Sequence, residues 1–240
     1  MEPVLYHGYE QIGTTVGGRE AIIVKPNVTP NGKWALKTEY FDAFPSVQLS
    51  LLAKGYHLAY VKNVTRWYYP ADTDAHLALA NHMRDEWGLA EKCVIIGMSC
   101  GGMKGIYFAS QYPERVSCLY LDAPVVNLLS CPFGLGRANC AHLRSEFVKV
   151  LGKDLSDFLA FRDHPLDRIP RLTANEIPLV LVSGDSDSTV PFEENGIHLK
   201  EAYEKAGCDF ALHIKAGGEH HPHSLEDNTP IINFVEKHYK

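Results

Sequence analysis

The sequence holds no apolar run near the roughly 18 or more residues of a membrane span. The best candidate, Ile177 to Ser183, is the length of a strand, so no membrane partner is expected. Positive charge is not in excess either. With 23 Lys+Arg against 29 Asp+Glu the formal net charge is -6. The basic footprint that neutralises phosphates is missing, and nucleic acid is not an expected partner. There is no Cys-x-x-Cys, no internal repeat, no low-complexity tract and no charge block. Periodicity and punctuation are left to organise the chain. The opening Met1 to Tyr6 lacks a basic n-region and an apolar h-region, so a cytoplasmic location is expected unless a leader has been removed. Cys93, Cys100, Cys118, Cys131, Cys140 and Cys208 read mostly as reduced core thiols. Cys131 and Cys140, close together in a Gly-rich loop, are the one pair placed to bridge.

What is present is a globular composition, 45% hydrophobic and 22% charged over 240 residues, enough for one sizeable domain. Strand-like Val4 to Ile12, a turn at Val16 to Arg19 and strand-like Glu20 to Lys25 read as a hairpin. Alternation follows: strand Lys33 to Phe41, a helix opening at Pro45, strand Tyr56 to Asn63, helix Asp72 to Trp87, strand Lys92 to Met98, helix Gly102 to Tyr112, strand Val116 to Ala123. The rhythm breaks between Pro124 and Arg171, with a loop Ser130 to Asn139 and helical stretches Ala141 to Leu151 and Leu155 to Arg162. It resumes with strand Ile177 to Ser183, helix Phe192 to Ala206, strand Asp209 to Lys215 and helix Thr229 to His238. Strands alternating with helices imply a mostly parallel α/β sheet covered on both faces, here of eight strands. The expectation is a single domain over 1–240, with an insertion over about 124–171 lying across one edge of the sheet.

One strand runs directly into Gly97-Met98-Ser99-Cys100-Gly101-Gly102 and then a helix, the setting in which Gly-x-Ser-x-Gly raises a nucleophilic serine on a tight turn. A Walker loop needs Gly-Lys-Ser/Thr, and Met103-Lys104-Gly105 does not supply it. The N–H of Cys100 is the first candidate to stabilise an oxyanion at the helix start. A serine alcohol needs a base, and the base an orienting acid. Strand Ile177 to Ser183 leads into Gly184-Asp185-Ser186-Asp187, where Asp187 is the expected acid and Asp185 the reserve, a turn former. The last strand leads into Gly217-Gly218-Glu219-His220-His221-Pro222-His223, where His220 is the expected base and His223 the alternative. Otherwise His221 and His223 fix this loop or line the substrate rim. Three histidines in four positions bring metal to mind, but no Cys or carboxylate cluster with tight ligand spacing accompanies them, and no metal is expected.

The order Ser99, Asp187, His220, the elbow, the strand rhythm and the insertion after the sixth strand together resemble the α/β-hydrolase fold along nearly the whole chain. More narrowly, Trp34 to Phe41, Gly-Met-Ser-Cys-Gly-Gly and His-His-Pro-His-Ser-Leu resemble bacterial esterases of the prolyl-oligopeptidase-like and carbohydrate-esterase branches. That resemblance implies cleavage of an acyl ester through an acyl-serine intermediate, with no cofactor. One departure stands out: the His-Gly-Gly oxyanion loop is replaced by Glu39-Tyr40-Phe41-Asp42, so Tyr40 or Phe41 is expected to give the second N–H donor.

Arg66-Trp67-Tyr68-Tyr69-Pro70 follows the fourth strand, where loops line the pocket of open α/β sheets. Trp67 and Tyr68 are candidates to stack on a sugar or phenolic group; packing the loop to the body is the alternative. The expected substrate is a small-molecule or carbohydrate ester. A peptidase or thioesterase would use the same three residues, and a ligand-binding relative without turnover is the alternative of another class.

Overall fold

The computed structural model describes residues 4–239. At one edge, β1 (Val4–Tyr6), β2 (Tyr9–Val16) and β3 (Arg19–Val24) form an antiparallel meander. The stretch expected as one strand turns at His7 and Gly8, both at positive φ (48° and 88°), and Tyr6 pairs with Tyr9. A two-residue hairpin needs left-handed backbone at both positions to match the strand twist. Among the described residues the sheet therefore has nine strands, one more than the sequence rhythm indicates.

Strand and helix then alternate: β4 (Trp34–Lys37), α1 (Ser46–Ala53), β5 (His57–Val61), α2 (Pro70–Asp85), β6 (Cys93–Met98), α3 (Cys100–Gln111) and β7 (Val116–Asp122). Three helices follow, α4 (Ala141–Leu151), α5 (Leu155–Ala160) and α6 (Pro165–Ala174). The chain closes with β8 (Leu179–Gly184), α7 (Gly196–Ala206), β9 (Phe210–Lys215) and α8 (Thr229–His238). The strand order is β1-β2-β3-β5-β4-β6-β7-β8-β9, parallel from β5 onward. Helix α6 lies beyond the two helical stretches expected in this segment, and it holds Pro170 inside it. Pro165 at its start sets φ for the first turn, and Ile169 and Leu172 bury a face that outweighs one lost backbone bond.

The period-two character of the strands sorts the core into two layers. Trp34, Leu36, Cys93, Ile95, Leu119, Leu121, Leu179 and Leu181 pack with α2, α3, α6 and α7 on one face. Ala35, Val94, Ile96, Cys118, Tyr120, Val180 and Val182 pack with α1 and α8 on the other. Each fully buried aliphatic side chain of this kind contributes about 1.5–3 kcal/mol. A one-residue slip would send every one to the wrong layer, which fixes the register. A third apolar cluster, built on Trp67, Phe133, Phe147 and Phe158, holds the segment between β7 and β8 to the body. Among the described residues no helix is long and apolar enough to cross a membrane.

Candidate active site

Between β6 and α3 the chain reverses at a single residue, Ser99, with φ 53° and ψ -120°. Such backbone costs roughly 1–3 kcal/mol for an L residue and persists only where its surroundings hold it. Here the Ser99 N–H donates to the Asp122 carbonyl at 2.9 Å, and the Ser99 carbonyl accepts the N–H groups of Val125 and Gly102, both at 3.0 Å. The neighbouring glycines are steric necessities. A Cβ on Gly97 would stand 2.8 Å from the Gly101 carbonyl oxygen, and one on Gly102 would stand 2.5 Å from Pro124 Cβ.

Two loops at the same edge of the sheet reach Ser99. After β8, Asp187 accepts the N–H groups of Thr189 (2.9 Å) and Val190 (2.8 Å) on Oδ1 and faces His220 with Oδ2. After β9, His220 places Nδ1 2.7 Å from Asp187 Oδ2 and Nε2 3.1 Å from Ser99 Oγ. With Nδ1 donating to the carboxylate, Nε2 is left as an acceptor toward the hydroxyl. Asp185 is exposed and accepts the Gly217 N–H at 2.7 Å, so it braces the histidine loop instead of touching an imidazole. His223 lies on the same cavity but sets its Nδ1 2.8 Å from Asp122 Oδ1, and no contact joins it to Ser99.

These groups open into a cavity of about 380 Å³, walled also by Tyr40, Phe44, Arg66, Met98, Leu143 and Val190. Cys100 begins α3, whose first-turn amides have no partners inside the helix. Tyr40 is on the wall, but its N–H donates to the Glu39 carboxylate at 3.2 Å. Phe41 is not among the residues that line the cavity, and its ring packs on Tyr6 and Tyr60 at 4.8 and 5.5 Å. Burial pushes the Glu39 carboxyl above its ordinary value, against the opposing pull of Lys104.

Trp67 and Tyr68 also depart from the stacking role. Trp67 is fully buried edge-on against Phe147, and Tyr68 stacks on Tyr107 at 3.9 Å. Neither lines the cavity. Between them they pin the loop after β5 to the body, and it is Arg66 beside them that faces the pocket, its guanidinium paired to Glu146 of α4. Cys131 and Cys140 are both free thiols.

Sequence reasoning missed two buried lysines, because charge in a strand or helix reads as solvated. Lys37 is fully buried behind two residues that line the cavity, its Nζ 3.1 Å from Met98 Sδ and 3.2 Å from the Ala43 carbonyl, with Gln48 Oε1 also at 3.2 Å. Burial lowers its pKa to about 7. Lys104 in α3 donates to Asp72 at 2.7 Å and to the Trp67 carbonyl at 2.9 Å. Arg19 holds the other Asp72 oxygen.

The family described as the alpha/beta hydrolase fold matches residues 66–163. An acylaminoacyl peptidase of Pyrococcus horikoshii superposes with a TM-score of 0.72 at 15% identity, over 97% of this chain and 42% of its own. A puromycin-hydrolyzing peptidase of Mycobacterium tuberculosis gives 0.71 at 15%, over 91% of this chain and 37% of its own. The chain thus spans less than half the length of these peptidases. TT1662 from Thermus thermophilus is matched over 98% of its length, with a TM-score of 0.64 at 14% identity and 97% of this chain covered. Strand order, the turn at Ser99 and these likenesses agree that the chain has the α/β-hydrolase fold.

Proposed function

We propose that this protein is a serine hydrolase that cleaves a carboxylic ester through an acyl-serine intermediate. The observation that carries the reading is the unbroken contact chain Asp187–His220–Ser99, at 2.7 and 3.1 Å, opening into one cavity. Ser99 Oγ attacks the ester carbonyl while His220 Nε2 takes its proton; Asp187 holds the imidazole tautomer and balances the charge. The tetrahedral oxyanion is met by the Cys100 N–H, and by the Tyr40 N–H once the Glu39 carboxylate yields it. The alkoxide leaves with the proton from His220. Water then adds to the acyl-serine by the same relay, releasing the acid and restoring Ser99.

The ester reading draws on the cavity wall. Among the described residues it carries no Asp or Glu to anchor a substrate amine, and its volume of about 380 Å³ suits a small acyl group such as acetyl or feruloyl, on a small or carbohydrate alcohol. Amide cleavage on the same three residues is the second reading, favoured by the likeness in fold to proteins named as peptidases. Intact-mass analysis after exposure to a fluorophosphonate tests the nucleophile: one adduct on the wild type and none on Ser99→Ala is expected. Turnover of matched ester and amide substrates then separates the two readings, with the ester expected to dominate. A wild type without an adduct would refute the proposal.

A further inference from the structure

The histidines that follow β9 face one another, and His220 among them faces Ser99. One ring nitrogen from each of His220, His221 and His223 lies within 4.8 Å of the other two. The ring centroids are 4.7 Å apart for His220 and His221, 5.0 Å for His220 and His223, and 4.9 Å for His221 and His223. His220 and His223 each commit Nδ1 to a buried carboxylate, Asp187 at 2.7 Å and Asp122 at 2.8 Å. An imidazole that donates one nitrogen to a carboxylate presents the other as an oriented lone pair, which is how zinc-binding histidines are commonly held. His221 is exposed, and its ring is kept beside the others by stacking on Phe44 at 5.3 Å. All three line the cavity, which gives an ion an entrance.

Sequence spacing argues against metal because no cluster of carboxylates with ligand spacing accompanies the three histidines. The fold brings two carboxylates behind the histidines from 33 and 101 residues away. A set of three imidazoles suits zinc and other borderline divalent cations, whereas magnesium and calcium require oxygen ligands. We propose that His220, His221 and His223 form a zinc site at the cavity mouth, and that an ion bound there holds His220 away from Ser99. Zinc–nitrogen bonds are about 2.0–2.1 Å long, so ring shifts of about 1 Å close the triangle and leave a fourth position for water. His220 Nε2 exchanges its contact with the Ser99 hydroxyl for the coordinate bond. No electron is transferred and no cofactor role is implied. Only the effect on Ser99 rests on the serine-hydrolase reading; zinc binding itself does not.

Titration of zinc into the chelator-stripped chain, in competition with a chromophoric chelator, measures stoichiometry and affinity directly. One ion per chain is expected, with affinity lowered at least ~10-fold in His221→Ala, a change at an exposed side chain. In parallel, zinc slows fluorophosphonate labelling of Ser99, EDTA restores it, and His221→Ala raises the half-inhibitory zinc concentration by the same factor. Absence of stoichiometric binding overturns the inference. So does an affinity unchanged in both His221→Ala and His223→Ala, which describes an adventitious ion only. A metal-free chain that never labels refutes the hydrolase reading instead, and the titration still decides the zinc site.

Discussion

Asp122 and His223 make a second buried carboxylate–imidazole pair, 2.8 Å apart, beside the one made by Asp187 and His220. The same carboxylate accepts the Ser224 N–H at 2.6 Å and the Tyr120 hydroxyl at 3.0 Å, while the Asp122 carbonyl accepts the Ser99 N–H. One residue thus fixes the backbone of the candidate nucleophile and the loop that carries its candidate base.

The pair sets a pH dependence. Burial works to raise the Asp122 pKa, but the hydrogen bond and charge of His223, with Lys215 and the Ser224 N–H, outweigh it and hold the carboxyl below its ordinary value. A carboxyl depressed in the fold stabilises fully above the unfolded value of about 3.9, and that stability is lost as pH falls through the lower folded value. Asp122→Asn is expected to flatten the acid limb of the stability curve. Denaturant midpoints between pH 2 and 7 check this, and an unchanged limb would count against it.

The roles assigned to the two acids after β8 are separable. Ser99→Ala is expected to lower kcat by roughly 10⁶ and Asp187→Asn by roughly 10⁴, as in comparable triads. Asp185→Asn, which alters the contacts to the Gly217 N–H and the Ser186 hydroxyl, should leave kcat within about tenfold. Steady-state kinetics on one reactive ester decides, and the reverse ranking of the two acids would displace Asp187.

Lys37 runs the linkage with the same sign, in a window at higher pH. Its pKa falls from 10.5 to about 7 on burial, so the unfolded chain holds a proton that the fold gives up between those values. Stability carried by this group therefore rises with pH across that window. Comparing chemical denaturation of the wild type with Lys37→Met at pH 7 and pH 10 should show the difference moving in favour of the wild type. A difference independent of pH would mean the lysine stays charged.

Trp67 tests the packing role against the stacking one. Trp67→Ala is expected to lower stability by about 3–5 kcal/mol, the usual cost of emptying a large aromatic from a core. A variant with native stability and a raised KM would restore the substrate-stacking role.

The elbow at Ser99 was legible because its steric demands are local: the glycines that permit the turn are its sequence neighbours. Asp187 and His220 were legible through their order and their places just past strands. The orientation of Trp67 and Tyr68 was not, because it is decided by Phe147, Tyr107 and Asp163, which reach them only through the fold. Nor was the burial of Lys37, whose partners Gln48 and Met98 come from two other elements. The break at His7 escaped because a histidine in left-handed backbone carries no signature of its own.

The three candidate site residues lie far apart along the chain, 121 residues between Ser99 and His220 and 33 between Asp187 and His220. They meet only when β6, β7, β8 and β9 stand side by side in register, so the contact closes long loops and is costly in loop-closure entropy. No half-assembled sheet can hold it. Modification of Ser99 by an electrophile then becomes a clock for the final stage of folding, started on dilution from denaturant and silent until the last parallel strand has docked.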